Sequence, residues 1–131
     1  MNIDSYSKGF LSECVERPWG WYVSTFAVEG FKTKVFVVNP KQRLSLQSHA
    51  HRKELWSIVS GEGICTVEEK QFNVAKDSFV VIPQGAKHRI ENTSASDNLV
   101  ISEVQIGGIL SEEDIVRYND DYGREKNDSE S

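Results

Sequence analysis

Two long apolar stretches dominate the first third of the chain, at 21–28 and 31–39, separated only by Glu29 and Gly30. Both are rich in β-branched and aromatic residues, which suit a pleated surface, and a two-residue break ending in glycine marks a hairpin. Before them, 1–16 is polar apart from Phe10 and Leu11 and reads as a lead-in with at most a turn of helix. Arg17, Pro18, Trp19 and Gly20 then form a turn. The next stretch, 43–51, alternates: Leu44, Leu46, Ser48 and Ala50 fall on one face, Arg43, Ser45, Gln47, His49 and His51 on the other. Short strands are predicted at 55–60, 64–68, 71–74, 78–82, 88–92 and 99–106, with turns at 61–63, at Glu69 and Lys70 and at 83–85. Turn signals recurring about every 8–12 residues indicate an all-β sandwich or barrel. One short helix is expected near the C-terminus, capped by Ser111 with Asp114 three residues on, and ending near Tyr118. The run 124–131 is charged and reads as a disordered tail.

Composition narrows this picture. A chain of 131 residues supports one core, here assigned to 17–123. The net charge of -5 and pI ≈ 5.2 offer no basic field, so no nucleic-acid partner is expected. No apolar run approaches the ~20 residues of a membrane span. The N-terminus shows no signal-peptide pattern, and Cys14 and Cys65 read as buried free thiols, so a cytoplasmic protein is expected. The aromatic residues Trp19, Trp21, Tyr22, Phe36 and Trp56 are read as core or subunit contacts rather than a sugar platform.

The chemistry concentrates in the chain's three histidines. His49 and His51 are two residues apart on one strand face, Glu54 follows, and His88 lies in a second compact motif. Three imidazoles and one carboxylate make a set suited to a divalent first-row metal with open positions. Zinc is the first choice, with cobalt, manganese, nickel and iron left open. Gln47, on the same face, is a further ligand or a substrate contact.

Pro83, Gly85, His88 and Asn92 in the spacing P-x-G-x-x-H-x-x-x-N, together with His49, His51, Glu54 and Gly61, resemble the cupins, which are double-stranded β-helix (jelly-roll) barrels. Lys41 replaces the usual glycine, and the interval from His51 to Glu54 is one or two residues shorter than in many cupins, so a turn or bulge must return the carboxylate to the site. Arg17 to Trp21, Gln42 to Trp56, Ile82 to Asn92, Glu103 to Gln105, Glu113 to Tyr118 and Tyr122 to Arg124 narrow the resemblance to the type II mannose-6-phosphate isomerase domain. Leu55 stands where that family usually has a histidine.

The resemblance implies a metal-dependent isomerase interconverting mannose 6-phosphate and fructose 6-phosphate. It further implies a homodimer, with the Leu44/Leu46 face a candidate contact, and a guanylyltransferase on a separate chain as a partner. Such chemistry needs cations for the phosphate and a base for the sugar. Arg43, Gln47 and Arg89 are the candidates for substrate binding, and Gln47, Arg52, Lys87 and Arg89 for catalysis. Strict alternation would turn Lys87 and Arg89 away from the face of His88 unless the strand bends there. Two other readings stand beside this one: a cupin enzyme of another class such as an oxygenase, and a non-catalytic sugar-phosphate-binding module.

Overall fold

The computed structural model describes residues 10–124, and among these it contains strands and turns but no helix. The strands are β1 (Phe10–Arg17), β2 (Gly20–Val28), β3 (Phe31–Val38), β4 (Leu46–Ser48), β5 (Arg52–Ser60) and β6 (Glu62–Val67). They continue as β7 (Lys70–Ala75), β8 (Phe79–Ile82), β9 (His88–Asn92), β10 (Leu99–Gly107) and β11 (Val116–Asn119). They form a six-stranded sheet, β1-β2-β3-β10-β5-β8, and a five-stranded sheet, β11-β4-β9-β6-β7. Every pairing is antiparallel. The core lies between the sheets, with Val38, Ile58, Leu99 and Ile101 of one against Cys65, Val74 and Ile90 of the other. Burying a side chain of this size stabilises the fold by about 1.5–3 kcal/mol.

The predicted hairpin forms as β2 and β3, with Val28 opposite Phe31 and Gly30 at φ 96°, a value that favours glycine. Gly61 also has a positive φ, and a Cβ there would sit 2.5 Å from the carbonyl oxygen of Asn98, so only glycine allows that approach.

Four expectations need correction. The described part of the lead-in, from Phe10 on, is strand β1, which pairs along β2 and whose Cys14 is exposed rather than buried; Cys65 is the buried free thiol. The single strand expected at 43–51 is broken. Arg43 makes only an isolated bridge to Glu91, β4 spans three residues, and the chain bends at Ala50 and His51. Leu44 of the expected dimer face belongs to the core. The C-terminal helix does not form either. Ser111 caps locally, its Oγ accepting from the N–H of Glu113, but the Asp114 carboxylate accepts from the backbone N–H groups of Ala50 and His51, both at 2.9 Å. With its carboxylate committed across to that bend, the segment leads into β11, which pairs with β4. The tail, apart from Arg124, lies outside the described residues.

The inward faces change character along their length. On β10 they run Leu99, Ile101, Glu103, Gln105; on β5, Ile58, Trp56, Glu54, Arg52; on β3, Val38, Phe36, Lys34. The register aligns these changes, since Leu99 faces Val38, Ile101 faces Phe36 and Ile58, and Glu103 faces Lys34 and Trp56. One end of the barrel is thus apolar and the other is charged, although both are buried. Buried charges require partners.

Candidate active site

Those partners are one another. The Glu54 carboxylate is 2% exposed as a residue and touches two imidazoles. Oε1 lies 3.2 Å from His88 Nε2, and Oε2 lies 3.6 Å from His49 Nε2. Arg52 approaches the same Oε2 through Nε at 3.0 Å and Nη2 at 2.9 Å, and its Nη2 is 3.2 Å from His49 Nε2. Its remaining Nη1 donates to the carbonyl of Ser111. Burial alone would push the Glu54 carboxyl up, but the hydrogen bond and charge of His88, with His49 and Arg52, hold it well below the usual carboxylate range. Burial is also the main reason that His49 is pushed down to about 4, with Arg52 and His88 adding to it against the pull of Glu54. His49 is therefore neutral near neutral pH.

Both imidazoles are oriented from behind. His49 Nδ1 is 2.7 Å from the carbonyl of Asp114 and His88 Nδ1 is 3.0 Å from that of Ala86. A carbonyl can only accept, so each Nδ1 carries a proton and donates it backward, while each Nε2 points inward, that of His88 donating to Glu54 Oε1. The Trp56 ring packs edge-on against His88, their centroids 5.6 Å apart. The ligand atoms of His49, Glu54 and His88 all lie within 4.8 Å of one another, close enough to bind one cation. Outer-shell carbonyls that fix the imidazoles are the arrangement expected at such a centre.

His51 does not join this group. It lies exposed in the bend where Asp114 accepts from its backbone. Gln47 takes its place on the same strand, directly opposite His88 across the β4–β9 pair and on the cavity wall. The amide nitrogen of Gln47 donates to Ser45 Oγ at 3.0 Å, leaving its oxygen as the end able to meet a ligand. The inward pair is Gln47 and His49, one register step earlier than the sequence suggested. The interval to Glu54, counted from His49, is then two residues longer, so no bulge is needed to bring the carboxylate back.

The remaining candidates divide. Arg52 is fully within the site. Arg43 is bound bidentately to Asp121 at 2.7 and 2.8 Å and does not line the cavity. Arg89 donates to Leu44 O and to Asn119, and Lys87 lies exposed with Nζ 4.3 Å from the Tyr118 ring centroid. Arg89 sits on the face of β9 opposite His88, as simple alternation requires, and Lys87 immediately precedes the strand.

The cavity beside His88 is partly open to solvent and holds about 60 Å³ of water-accessible space. Arg17, Lys34, Arg117 and Arg124 line it besides Arg52, as do Glu103 and Glu112. None of these was singled out for chemistry from the sequence. The available signal was a charged residue at an inward position of an otherwise apolar strand face, as at Lys34 and Glu103. Leu55, by contrast, points away from this cavity and pairs with Val104 and Val81 on the outer face of the sheet.

Comparison with known proteins agrees with this architecture. The family model described as mannose-6-phosphate isomerase C-terminal matches residues 7–120. The chain is 42% identical over 110 residues to the xanthan biosynthesis protein XanB of Xanthomonas campestris and 43% identical to the alginate biosynthesis protein AlgA of Pseudomonas aeruginosa. It is 39% identical to the mannose-1-phosphate guanylyltransferase ManC of Salmonella typhimurium. Each match covers 84% of this chain but only 23% of the relative, so the chain spans about a quarter of those proteins. Among solved structures, the cupin domain of Schizosaccharomyces pombe Cnp3 superposes with a TM-score of 0.66 at 18% identity, covering 72% of this chain and 68% of that one. Bacillus subtilis oxalate decarboxylase gives 0.69 at 21% identity, covering 81% and 30%. At these identities the likeness establishes the fold, a cupin barrel.

Proposed function

The chain belongs to the mannose-6-phosphate isomerase C-terminal family, and we propose on that footing that it is a metal-dependent isomerase of mannose 6-phosphate and fructose 6-phosphate. The observation that carries this reading is the pair of buried imidazoles, His49 and His88. Both are anchored by carbonyls and turned onto Glu54 in the wall of a cation-lined cavity.

The donor set fits a divalent first-row ion, zinc first. His49, His88 and Glu54 would hold it, with the Gln47 oxygen as a further donor. When bound, such an ion acts as a Lewis acid that polarises the sugar carbonyl and neutralises charge building on the oxygens. The protein's own residues do the rest. Ser111 O holds the Arg52 guanidinium, which in turn holds Glu54. Arg17, Arg117 and Arg124 line the cavity and bind the substrate phosphate, for which a guanidinium fork is well matched. Arg117→Ala is expected to raise KM for mannose 6-phosphate by about 10–100-fold, the equivalent of one charged hydrogen bond, with metal content unchanged. Arg43→Ala, outside the cavity, should leave KM unaltered; steady-state kinetics on the two variants checks both.

The test of the activity is a coupled assay for fructose 6-phosphate formed from mannose 6-phosphate by metal-stripped protein resupplied with zinc, cobalt, manganese or nickel. Turnover restored by metal supports the reading. A folded, metal-loaded protein with no turnover on any of them overturns it in favour of a binding module.

We further place the protein in the cytoplasm as a homodimer, working with a guanylyltransferase activity that consumes mannose phosphate. The free thiols of Cys14 and Cys65 suit a reducing compartment. The dimer contact is the outer face of the six-stranded sheet, where Val104, Leu55 and Val81 form one cross-strand row and Phe79 is 62% exposed. Leu55→Arg places a charge in that row and is expected to shift the protein from dimer to monomer in sedimentation, with the fold retained.

A further inference from the structure

An aldose–ketose isomerase must move a hydrogen between two adjacent carbons, and the proton route through an enediol needs a base, for which the residues around Glu54 are poorly placed. Glu54 is committed to His49, His88 and Arg52, and His49 and His88 have each turned Nε2 onto it. Arg52 is a permanent cation. The cavity contains one further carboxylate that is fully inside the barrel. Glu103 is 3% exposed, lies on the same wall as Lys34, Arg52 and Glu54, and faces Lys34 and Trp56 across the sheet.

Its two oxygens are held by separate donors. Trp56 Nε1 donates to Oε2 at 2.8 Å and Gln105 Nε2 donates to Oε1 at 2.7 Å. The Lys34 ammonium is 4.0 Å from Oε1. Lys34 is itself kept charged despite its burial, because Glu103 and Glu112 outweigh the desolvation. Each carboxylate oxygen has a second lone-pair direction that these donors leave unused. The carboxylate is therefore rigidly oriented, lines the cavity and retains capacity to accept a proton. Burial, with the charge of Glu54, pushes the Glu103 carboxyl up to about 6 against the opposing pull of Lys34, Arg52 and Gln105. That is a poise near the pH at which a base operates.

Resting on the isomerase reading above, we infer that Glu103 is the base that carries the sugar proton between C2 and C1. The C2–H bond breaks, its proton goes to a Glu103 oxygen, and its electron pair forms the C1=C2 bond of an enediol while the C1=O π pair withdraws onto O1, which takes up a proton from water. The O2 hydroxyl then returns a proton to water, the C2=O bond forms, and the C1=C2 pair takes the proton from Glu103 to make the new C1–H bond. No net proton or electron is gained or lost. Lys34 keeps a positive charge beside the oxygens throughout, and Trp56 and Gln105 prevent the carboxylate from rotating away.

The geometry also supplies a mild test. Gln105 Oε1 is buried and has no hydrogen-bond partner among the described residues. In Glu103→Gln, the new amide oxygen can accept from Trp56 and, once the Gln105 amide turns over to present Oε1 in place of Nε2, the new NH₂ can donate to it, so the local network survives the change. The variant is expected to bind metal stoichiometrically and to melt within a few degrees of wild type. It should lose at least about 100-fold in kcat, the low end of a general base's contribution. Mannose 6-phosphate deuterated at C2, run in ordinary water, reports the step directly by NMR. Wild type transfers part of the label to C1 and loses part to water, whereas the variant does neither above background. Glu103→Asp, which withdraws the carboxylate by one methylene, should recover part of the exchange. A Glu103→Gln variant that turns over and moves the label at wild-type rates overturns the assignment while the isomerase reading stands. If Glu103→Gln fails to fold, the aspartate variant decides: exchange at the full wild-type rate overturns the assignment. A wild-type protein that neither turns over nor exchanges label overturns both.

Discussion

His49→Ala and His88→Ala are each expected to lose the bound metal and, with it, turnover to background, while His51→Ala keeps both. The first two side chains are 4% and 1% exposed as residues and direct Nε2 onto Glu54. Removing either takes away a donor outright, so metal affinity should fall by more than the roughly 10–100-fold that loss of an outer-shell hydrogen bond costs. His51 is exposed, and only its backbone N–H is used, by the Asp114 carboxylate. Alanine preserves that N–H. Metal content measured after dialysis, with the coupled isomerase assay on the same samples, separates the three variants. Loss of metal in His51→Ala to the level of His49→Ala would mean that the bend at Ala50 and His51 opens to bring the second imidazole in, and the site drawn from Gln47, His49, Glu54 and His88 would be wrong.

That comparison also marks how far the sequence alone could be read. Strand positions followed from alternation and turn residues because both are local. Val28, Glu29, Gly30 and Phe31 carry their hairpin in four residues, and the Pro83 to Asn92 motif places His88 at the start of β9. That His51 stands apart from His49 is hidden in the sequence for the same reason that strands are legible. Alternation makes 47, 49 and 51 equivalent, and nothing local reveals that a carboxylate 63 residues away captures the N–H of His51 and turns the chain out of the strand. The C-terminal helix failed through the same contact, seen from its other end. Ser111 and Asp114 have the residue types of a helix cap, but the Asp114 carboxylate was already committed to the distant bend. Lys34 and Glu103 were visible as charges on apolar faces. Only the register that puts Glu103 opposite both Lys34 and Trp56 turns them into one cavity wall.

The second large effect is expected at Arg52, and its size should depend on metal. In the protein without metal, the guanidinium is the fixed cation closest to the Glu54 carboxylate, at 2.9 Å, and both side chains are 3% exposed. Arg52→Met fills much of the same volume but leaves that carboxylate without its fixed counter-charge, which typically costs about 3–5 kcal/mol. A metal held by Glu54, His49 and His88 would supply the missing charge. Because Arg52 Nη2 also lies 3.2 Å from His49 Nε2, the wild-type guanidinium competes with the metal for one of its donors. The variant is therefore expected to unfold at a much lower temperature than wild type when stripped of metal, and to gain more stability than wild type on addition of saturating zinc. Ligand at free concentration L stabilises a fold by RT ln(1 + L/Kd), so the two shifts can be compared at one zinc concentration. Calorimetric melts of both proteins, with and without metal, provide the comparison. Equal zinc-induced shifts would show that Arg52 and the metal do not share Glu54, and that the cation binds elsewhere in the cavity. A larger shift in the variant would identify Arg52 as the residue that holds the buried carboxylate in place until the metal arrives.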